Sequence, residues 1–94
     1  MNEDIYNKVI HQIDEFNQIR ITVNEFNNVA YLHIRKYYLD FEEEWLPTKD
    51  GISMPLTLNN SKELFVALIE LLSLAESKAV IIENFKELME ERFK

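Results

Sequence analysis

Apolar residues recur along the chain with two different periods, and each change of period marks a change of predicted structure. Residues 3–16 have helical spacing, which predicts an amphipathic N-terminal helix that covers a hydrophobic surface. Near residue 19 the period becomes two, which predicts strands, and near residue 60 it returns to helical. The apolar positions of the N-terminal segment are Ile5, Val9, Ile13 and Phe16.

The period-two region predicts four antiparallel strands joined by short turns. Residues 25–28 contain two asparagines, which tolerate positive φ, and residues 47–51 form a second cluster of turn-forming residues. The third strand is an acidic strand or hairpin arm, and Pro55 limits the fourth strand to an edge or an end. The four predicted strands cover residues 19–24, 29–39, 40–45 and 52–54.

The C-terminal part predicts two helices with a break near Ser73, which forms a capping signature with Glu76. The first helix begins near Asn60, and its apolar residues cover more than one face. Such a helix needs two partners, so we expect the sheet on one side and the same helix of a second chain on the other. The expected homodimer forms through residues 61–75, enlarged by residues 79–93. Its contact residues are Phe65, Leu68, Ile69 and Leu72.

The second helix is amphipathic and has an acidic polar face. Because the strands run together and the helices lie at the ends of the chain, the element order predicts an α+β fold. A length of 94 residues predicts one domain. The apolar face consists of Val80, Ile81, Phe85, Leu88, Met89 and Phe93, and the polar face of Glu83, Glu87, Glu90 and Glu91.

The composition narrows the possible functions. With 17 acidic and 10 basic residues, the formal net charge is −7, which excludes a generally basic nucleic-acid-binding protein and a polybasic membrane-surface binder. The absence of cysteine excludes a disulfide scaffold, a thiolate metal site and a cysteine nucleophile. No targeting or membrane-spanning segment is recognisable, so we expect an intracellular protein without a membrane partner. It would be nuclear in a eukaryote and cytoplasmic in a bacterium, a phage or a cytoplasmic virus.

The residues indicate no catalytic or metal-binding constellation. His11 and His33 are the two histidines, and they lie on different predicted elements. Glu42, Glu43 and Glu44 are adjacent on a predicted strand, where neighbouring side chains point to opposite faces, so they indicate a solvated hairpin arm. We therefore expect a protein that is not an enzyme and that holds no cofactor or metal.

The strand region carries a recognisable order of motifs. The run "ITVNEF" is followed by "NNVAYLHIRKYYLD", then by Pro47 and by "GISM" at Gly51 to Met54. This order resembles the positive cofactor four family of transcriptional coactivators, in which a strand ends in Ile-Arg-x-Tyr-aromatic-x-Asp. Residues 20–54 follow the family pattern without a gap, and the helix after them needs a short insertion at residues 55–58.

The resemblance implies a curved four-stranded antiparallel sheet with a helix behind it. It also implies a homodimer built through that helix, with single-stranded DNA on the two sheets. Residues 19–75 would then be the sheet-plus-helix core of a single domain spanning residues 1–94. The N-terminal helix at residues 3–16 and the helical extension at residues 76–94 would be additions to the family domain.

The resemblance also assigns roles to individual residues. Phe26 stands at the hairpin aromatic that stacks a base, and Arg35 at the arginine that reaches the DNA backbone. Tyr38 stands where the family often has Trp, and Lys49 keeps a basic residue before Gly51. Four positions depart from the family pattern by replacing its lysines: Asn27, Val29, Leu46 and Asp50.

Alternation places Tyr31, His33 and Arg35 in one row on the non-core face of the second strand. That row is either a nucleic-acid surface, with Lys36 as a further basic residue, or an ordinary exposed strand face. Trp45 either packs over the hairpin or belongs to the nucleic-acid surface, and the sequence is compatible with both positions.

We interpret the chain as a homodimer that binds single-stranded DNA, or RNA, through its sheet. Stacking would dominate the binding, because residues 19–54 contain four basic and six acidic residues. The alternative is a protein-interaction module on the same fold that has lost its basic groove. Its acidic helices would then recruit a transcription-machinery protein such as a polymerase or another factor.

Overall fold

The computed structural model describes residues 4–92, so Glu3 and Phe93, which belong to the predicted helices, lie outside the described residues. The chain divides into two compact units, one ending at Thr57 and one beginning at Leu58. The first unit is a four-stranded sheet and the second is a pair of helices, which confirms the α+β class. The single-domain organisation stays a prediction. The elements are β1 (Tyr6–Asp14), β2 (Asn17–Phe26), β3 (Val29–Leu39), β4 (Trp45–Pro55), α1 (Leu58–Ser73) and α2 (Lys78–Arg92).

The sheet is an antiparallel meander in which strands adjacent in sequence are adjacent in space, in the order β1-β2-β3-β4. A two-residue turn joins β2 to β3, and its residues Asn27 and Asn28 have φ values of 51° and 65°. Positive φ at both central positions is the requirement of the hairpin turn that matches the twist of the strands, and asparagine meets it at low cost. The turn predicted at residues 25–28 is thereby confirmed.

The predicted N-terminal helix is wrong, because Tyr6–Asp14 forms strand β1. The apolar residues Ile5, Val9 and Ile13 are four residues apart, and this spacing fits a period of two as well as a period of 3.6. Backbone pairing with β2 decides the outcome, from Tyr6 opposite Val23 at one end to Asp14 opposite Asn17 at the other. A helix of this length is marginal in water unless its apolar face packs on another element.

The predicted third strand at residues 40–45 is also wrong, because residues 40–44 form a loop. The side chain of Asp40 organises this loop, since its Oδ1 accepts hydrogen bonds from the backbone N–H groups of Glu42 and Glu44 at 2.8 and 2.9 Å. Glu43 adopts a positive φ of 62° within the same loop. An aspartate that bonds to following backbone groups stabilises a turn in place of a strand.

The fourth strand is longer than predicted, and the predicted turn at residues 47–51 lies inside it as a bulge. Arg35 pairs with Gly51, and Tyr37 pairs with Pro47, so three residues of β4 stand opposite a single residue of β3. The hydroxyl of Thr48 closes the bulge by donating to the Lys36 carbonyl oxygen at 2.8 Å. Turn-forming residues therefore produce a bulge here, because pairing with β3 continues on both sides of them.

The register divides the side chains of β2, β3 and β4 between two faces. On one face, Ile21, Ile34 and Ile52 stand opposite one another. The other face has the threonine–histidine–serine row at the next position along each strand. The first, apolar face carries Ile19, Ile21, Val23, Leu32, Ile34, Ile52 and Met54. The second, polar face carries Gln18, Arg20, Thr22, Asn24, Tyr31, His33, Arg35, Tyr37 and Ser53.

The helical unit is a hairpin of two helices held by an aromatic contact. The rings of Phe65 in α1 and Phe85 in α2 meet edge to face, with centroids 5.8 Å apart and planes at 83°. Ile81 is the buried residue of α2, whereas α1 has no buried residue within its described length. The predicted break after Ser73 is confirmed, and the Oγ atom of Ser77 accepts the Val80 N–H at 3.3 Å as the cap of α2.

Neither described helix combines the length and the apolar character that crossing a bilayer requires. Several large apolar side chains of the hairpin are nevertheless exposed. They include Phe65, Leu68, Leu71 and Leu72 of α1, and Ile82, Leu88 and Met89 of α2.

The first prediction concerns Asp14, whose carboxylate closes the turn between β1 and β2. The Phe16 N–H donates to its Oδ1 at 2.8 Å and the Asn17 amide at 2.9 Å, and these bonds hold the pKa of Asp14 below its usual value. A group whose pKa is lowered on folding stabilises the folded state at pH values above its unfolded pKa, which is about 3.9 for aspartate. This stabilisation is lost as the pH falls through the pKa of the folded state. We expect Asp14→Ala to lower Tm at pH 7, and the difference from wild type to shrink below about pH 4.

Asp14→Asn is the matched control, because it keeps an oxygen acceptor that does not titrate. The Tm difference between the Asn and Ala variants should stay constant over the same pH range. A wild-type advantage over Asp14→Ala that does not change between pH 7 and pH 3 would contradict the assigned role of the charge.

Candidate nucleic-acid interface

The polar face of the sheet contains an open groove of about 640 Å³. All four strands contribute to it, and so does the segment that precedes β1. Its floor is well packed, since Thr22 on β2 exposes 2% of its surface and Tyr37 on β3 exposes 9%. Around this floor, the lining combines polar and charged side chains of β1, β2 and β3 with Trp45, Leu46 and Pro47 of β4.

Within the groove, the guanidinium group of Arg20 lies over two aromatic rings. Its Cζ atom is 5.0 Å from the ring centroid of Tyr37 and 5.7 Å from that of Trp45. Its Nε donates to Gln18 Oε1 at 2.8 Å, and its Nη1 donates to Asn7 Oδ1 at 3.4 Å. The two rings and the two amides therefore fix the position of the cation.

Arg35 stands opposite Arg20 in the β2–β3 pairing and belongs to a network that crosses three strands. Its Nη1 donates to the Thr48 carbonyl oxygen at 3.0 Å and its Nη2 to Ser53 Oγ at 3.3 Å. Ser53 Oγ is also hydrogen-bonded to His33 Nδ1, and His33 Nε2 is 3.0 Å from Asn24 Oδ1. The hydroxyl of Ser53 thus connects the arginine and the histidine across the sheet.

The two arginines of the groove keep their positive charge without a neutralising partner. Within residues 4–92, neither Arg20 nor Arg35 forms an ion pair, and the ion pair that is present joins Arg92 to Glu91 on α2. Asp4 is the acidic residue of the groove lining, and its Oδ2 accepts a hydrogen bond from the Asn7 amide at 3.0 Å. The groove is therefore cationic although the chain as a whole is acidic.

Three of the sequence-predicted site residues come together in the structure. Tyr31, His33 and Arg35 follow one another on the polar face of β3, as their alternation predicts. Phe26 lies at the end of β2, next to the hairpin turn, and is 59% exposed. Lys49 is exposed in the β4 bulge.

Two predicted residues lie on the other face of the sheet. The pairing of β3 with β2 is unbroken, with Tyr37 opposite Gln18 and Tyr38 opposite Asn17. Tyr37 therefore continues the row of Arg35, while Tyr38 and Lys36 belong to the apolar face. The irregularity in this region lies in β4, so strict alternation along β3 separates the two tyrosines.

Most residues of the groove, among them Arg20, Tyr37 and Asn7, were not predicted as site residues, and the place of Trp45 was left open. Arg20 was visible as a polar position between Ile19 and Ile21, and Tyr37 as the next position after Arg35 in the alternation. Trp45 stood between two interpretations, and the structure places its ring beside Arg20 in the groove. This placement depends on the start of β4, which the sequence pattern located too late.

The loop before β4 brings three carboxylates together. One oxygen atom from each of Asp40, Glu42 and Glu44 lies within 4.8 Å of the others, although Glu43 does not join them. The Asp40 oxygen already accepts two backbone hydrogen bonds, and both glutamates are exposed. Exposed acidic groups at such distances are common without an ion, and this group remains an acidic loop.

A four-stranded antiparallel meander with a cationic groove on its polar face, followed by helices, defines a small α+β class of sheet domain. The chain belongs to the PC4 family: the family model described as Transcriptional Coactivator p15 (PC4) matches residues 13–70, more than half of the chain. This match confirms the resemblance inferred from residues 20–54. It begins at the end of β1 and ends within α1.

Solved structures of PC4 homologs are similar to the chain. One is described as a bacteriophage T5 homolog of the eukaryotic transcription coactivator PC4 implicated in recombination-dependent DNA replication. It is 35% identical, has a TM-score of 0.70, and the match covers 99% of this chain and 98% of that one. A PC4 homolog from Burkholderia pseudomallei, in its orthorhombic crystal form, is 25% identical with a TM-score of 0.54, covering 82% of this chain and 92% of that one. We found no match among curated protein sequences.

Proposed function

We propose that the chain binds single-stranded DNA in the groove on the polar face of its sheet, as a homodimer formed through its helices. The observation that carries this proposal is the Arg35 network: a guanidinium group in an open groove, held by Thr48 and Ser53 and without a carboxylate partner among the described residues. Guanidinium groups placed in this way bind phosphate oxygens.

Aromatic side chains on the same face of the sheet as Arg35 supply the second element of a single-strand site. Tyr31 lies four residues from Arg35 on β3, and Phe26 is exposed at the end of β2, next to the hairpin turn. Bases of a single strand stack on such rings whatever their sequence, with about 1–3 kcal/mol per base. A cationic groove beside exposed rings is the combination that sequence-tolerant single-strand binders use.

The relatives favour DNA as the strand. The family is described as a transcriptional coactivator, and the bacteriophage T5 homolog as implicated in recombination-dependent DNA replication. Both are processes on DNA, so we take single-stranded DNA as the ligand and an RNA oligonucleotide of the same length as its comparison.

The helical hairpin supports the homodimer. Phe65, Leu68 and Leu72 are exposed on α1, and Ile69 is half-buried between them. Leu68 and Ile69 each lie three or four residues from both Phe65 and Leu72, so the four residues form one apolar stripe along the helix. A monomeric protein seldom leaves such a stripe in water, and the same stripe of a second copy would cover it.

The alternative function is a protein-interaction module in which the acidic face of α2 binds a partner. The exposed residues Glu83, Glu87 and Glu90 would then be the contact, and the groove would be a remnant. A complete lack of oligonucleotide binding by the wild-type chain at low salt would favour this alternative.

The second prediction tests the phosphate contact. Arg35→Gln should weaken binding to a labelled oligodeoxythymidine and reduce the slope of log affinity against log salt by about 0.7, the share of one phosphate contact. Fluorescence anisotropy over a range of salt concentrations measures both quantities. Lys36→Gln is the matched control, because it removes the same charge from the next residue on the opposite face. Equal effects of the two variants would remove Arg35 from the site.

The third prediction identifies the binding face. Tyr31→Ala should cost about 1–3 kcal/mol of binding free energy, because Tyr31 lies on the polar face in the same row as His33 and Arg35. Tyr38→Ala should cost much less, because Tyr38 lies on the apolar face opposite Leu46. The same anisotropy titration measures both. A larger loss for Tyr38→Ala would transfer the site to the apolar face.

The fourth prediction tests the dimer. Leu68 is 48% exposed on the apolar stripe, so Leu68→Glu should convert the dimer to a monomer in sedimentation velocity at micromolar concentration. Val66→Glu is the matched control, because Val66 is 39% exposed but lies about 200° away around the same helix. Circular dichroism should show that both variants keep their helices. A wild-type chain that sediments as a monomer would overturn the dimer.

A further inference from the structure

We propose that Arg20 is a second phosphate-binding residue of the groove and that strand β1 positions it through Asn7. This inference rests on the proposed function of the same groove. It extends the site beyond the residues that the family resemblance assigned, because neither Arg20 nor β1 was among them. It also gives the N-terminal strand, most of which precedes the family match at residue 13, a part in binding.

The surroundings of Arg20 hold its guanidinium group but do not neutralise it. Two aromatic rings and two side-chain amides contact the group, and none of them carries a charge. Within residues 4–92 the guanidinium group forms no ion pair. A cation held in this way loses little conformational freedom when it binds an anion, and it keeps its full charge for that contact.

The donors that remain are suited to a phosphate group. A guanidinium group has five N–H donors in one plane, and Gln18 and Asn7 take two of them in the described part of the chain. Because the group is planar, its free donors point along its plane, and the rings of Tyr37 and Trp45 lie 5.0 and 5.7 Å from its Cζ atom. Two in-plane donors match two oxygens of a phosphate diester.

Asn7 is the positioning residue in this arrangement. Its Oδ1 accepts from Arg20, and its Nδ2 donates to Asp4 Oδ2 at 3.0 Å, so the Asp4 contact fixes which end of the amide faces the cation. Asn7 stands opposite Thr22 in the β1–β2 pairing, next to the floor of the groove. Strand β1 thereby contributes one uncharged side-chain amide to the Arg20 site.

Arg20 also replaces part of the positive charge that the chain lacks relative to the family pattern. The family pattern has lysine at the positions of Asn27, Val29, Leu46 and Asp50, and their loss leaves few cations for the DNA backbone. Arg20 supplies a cation inside the groove, about midway along β2 and opposite Arg35 on β3. The two arginines would contact successive phosphates of one strand.

The test measures the binding of oligodeoxythymidine by three Arg20-site variants over a range of salt. Arg20→Gln should reduce the slope of log affinity against log salt by about 0.7. Its loss of affinity relative to wild type should therefore be roughly fivefold greater at about 0.1 M than at about 1 M salt. Arg20→Lys keeps the charge but not the planar fork, so its slope should match wild type while its affinity falls. Asn7→Ala should likewise lower affinity without changing the slope.

Lys8→Gln is the control for charge, because Lys8 is adjacent to Asn7 but stands opposite Ile21 on the apolar face. It should leave the slope and the affinity unchanged. A purely structural role of Arg20 would lower Tm and affinity in Arg20→Gln without altering the slope, and that result would overturn the inference.

Trp45 provides an independent readout, because it is the one tryptophan of the chain and lies beside Arg20. Oligonucleotide binding should change its fluorescence in the wild type. If the wild type binds but Trp45 emission and the Arg20→Gln slope stay unchanged, Arg20 is not a contact, although the groove function stands. If the wild type does not bind at any salt concentration, the proposed function itself fails, and this inference fails with it.

Discussion

The unbroken pairing of β2 with β3 is the constraint on which the rest of the sheet depends. Ten residues of β2 face ten residues of β3 without an irregularity, from Asn17 opposite Tyr38 to Phe26 opposite Val29. Because side chains alternate between faces, this register puts the isoleucines on one face and every groove residue of these strands on the other. A slip of one residue would exchange the two faces and remove the groove.

The groove shows how an acidic chain can keep a local cationic site. The net charge of −7 comes from carboxylates that lie outside the groove, except for Asp4, whose hydrogen bond to Asn7 orients that amide. Uncharged oxygens and aromatic rings, not carboxylates, hold both arginines in place. A carboxylate partner would have held them equally well but would have cancelled the charge that an anionic ligand requires.

The parts of the fold that were predictable from the sequence are those that neighbouring residues decide. The alternation of β2 and β3, the Asn27–Asn28 turn and the two helices each follow from local pattern and turn chemistry. Strand β1 was not predictable, because four-residue spacing fits two periods and only pairing with β2 selects one. The position of Trp45 in the groove was not predictable either, because it depends on the pairing of Trp45 with Leu39 at the end of β3. Tyr38 was assigned to the nucleic-acid site by its resemblance to the family pattern. Strict alternation along β3 instead places Tyr37 in the row of Tyr31, His33 and Arg35.

The bulge in β4 connects the fold to the Arg35 side of the groove. Gly51 stands opposite Arg35, and a Cβ atom built on it would lie 2.8 Å from both the Arg35 Cβ and the Ile34 carbonyl oxygen. The strand can therefore approach Arg35 closely only with glycine at this position. The same bulge turns the Thr48 carbonyl oxygen toward the Arg35 guanidinium group. Regular pairing of β4 would leave this oxygen in the ladder. The irregularity therefore lets a backbone carbonyl, together with the Ser53 hydroxyl, hold an arginine on the sheet surface without a countercharge.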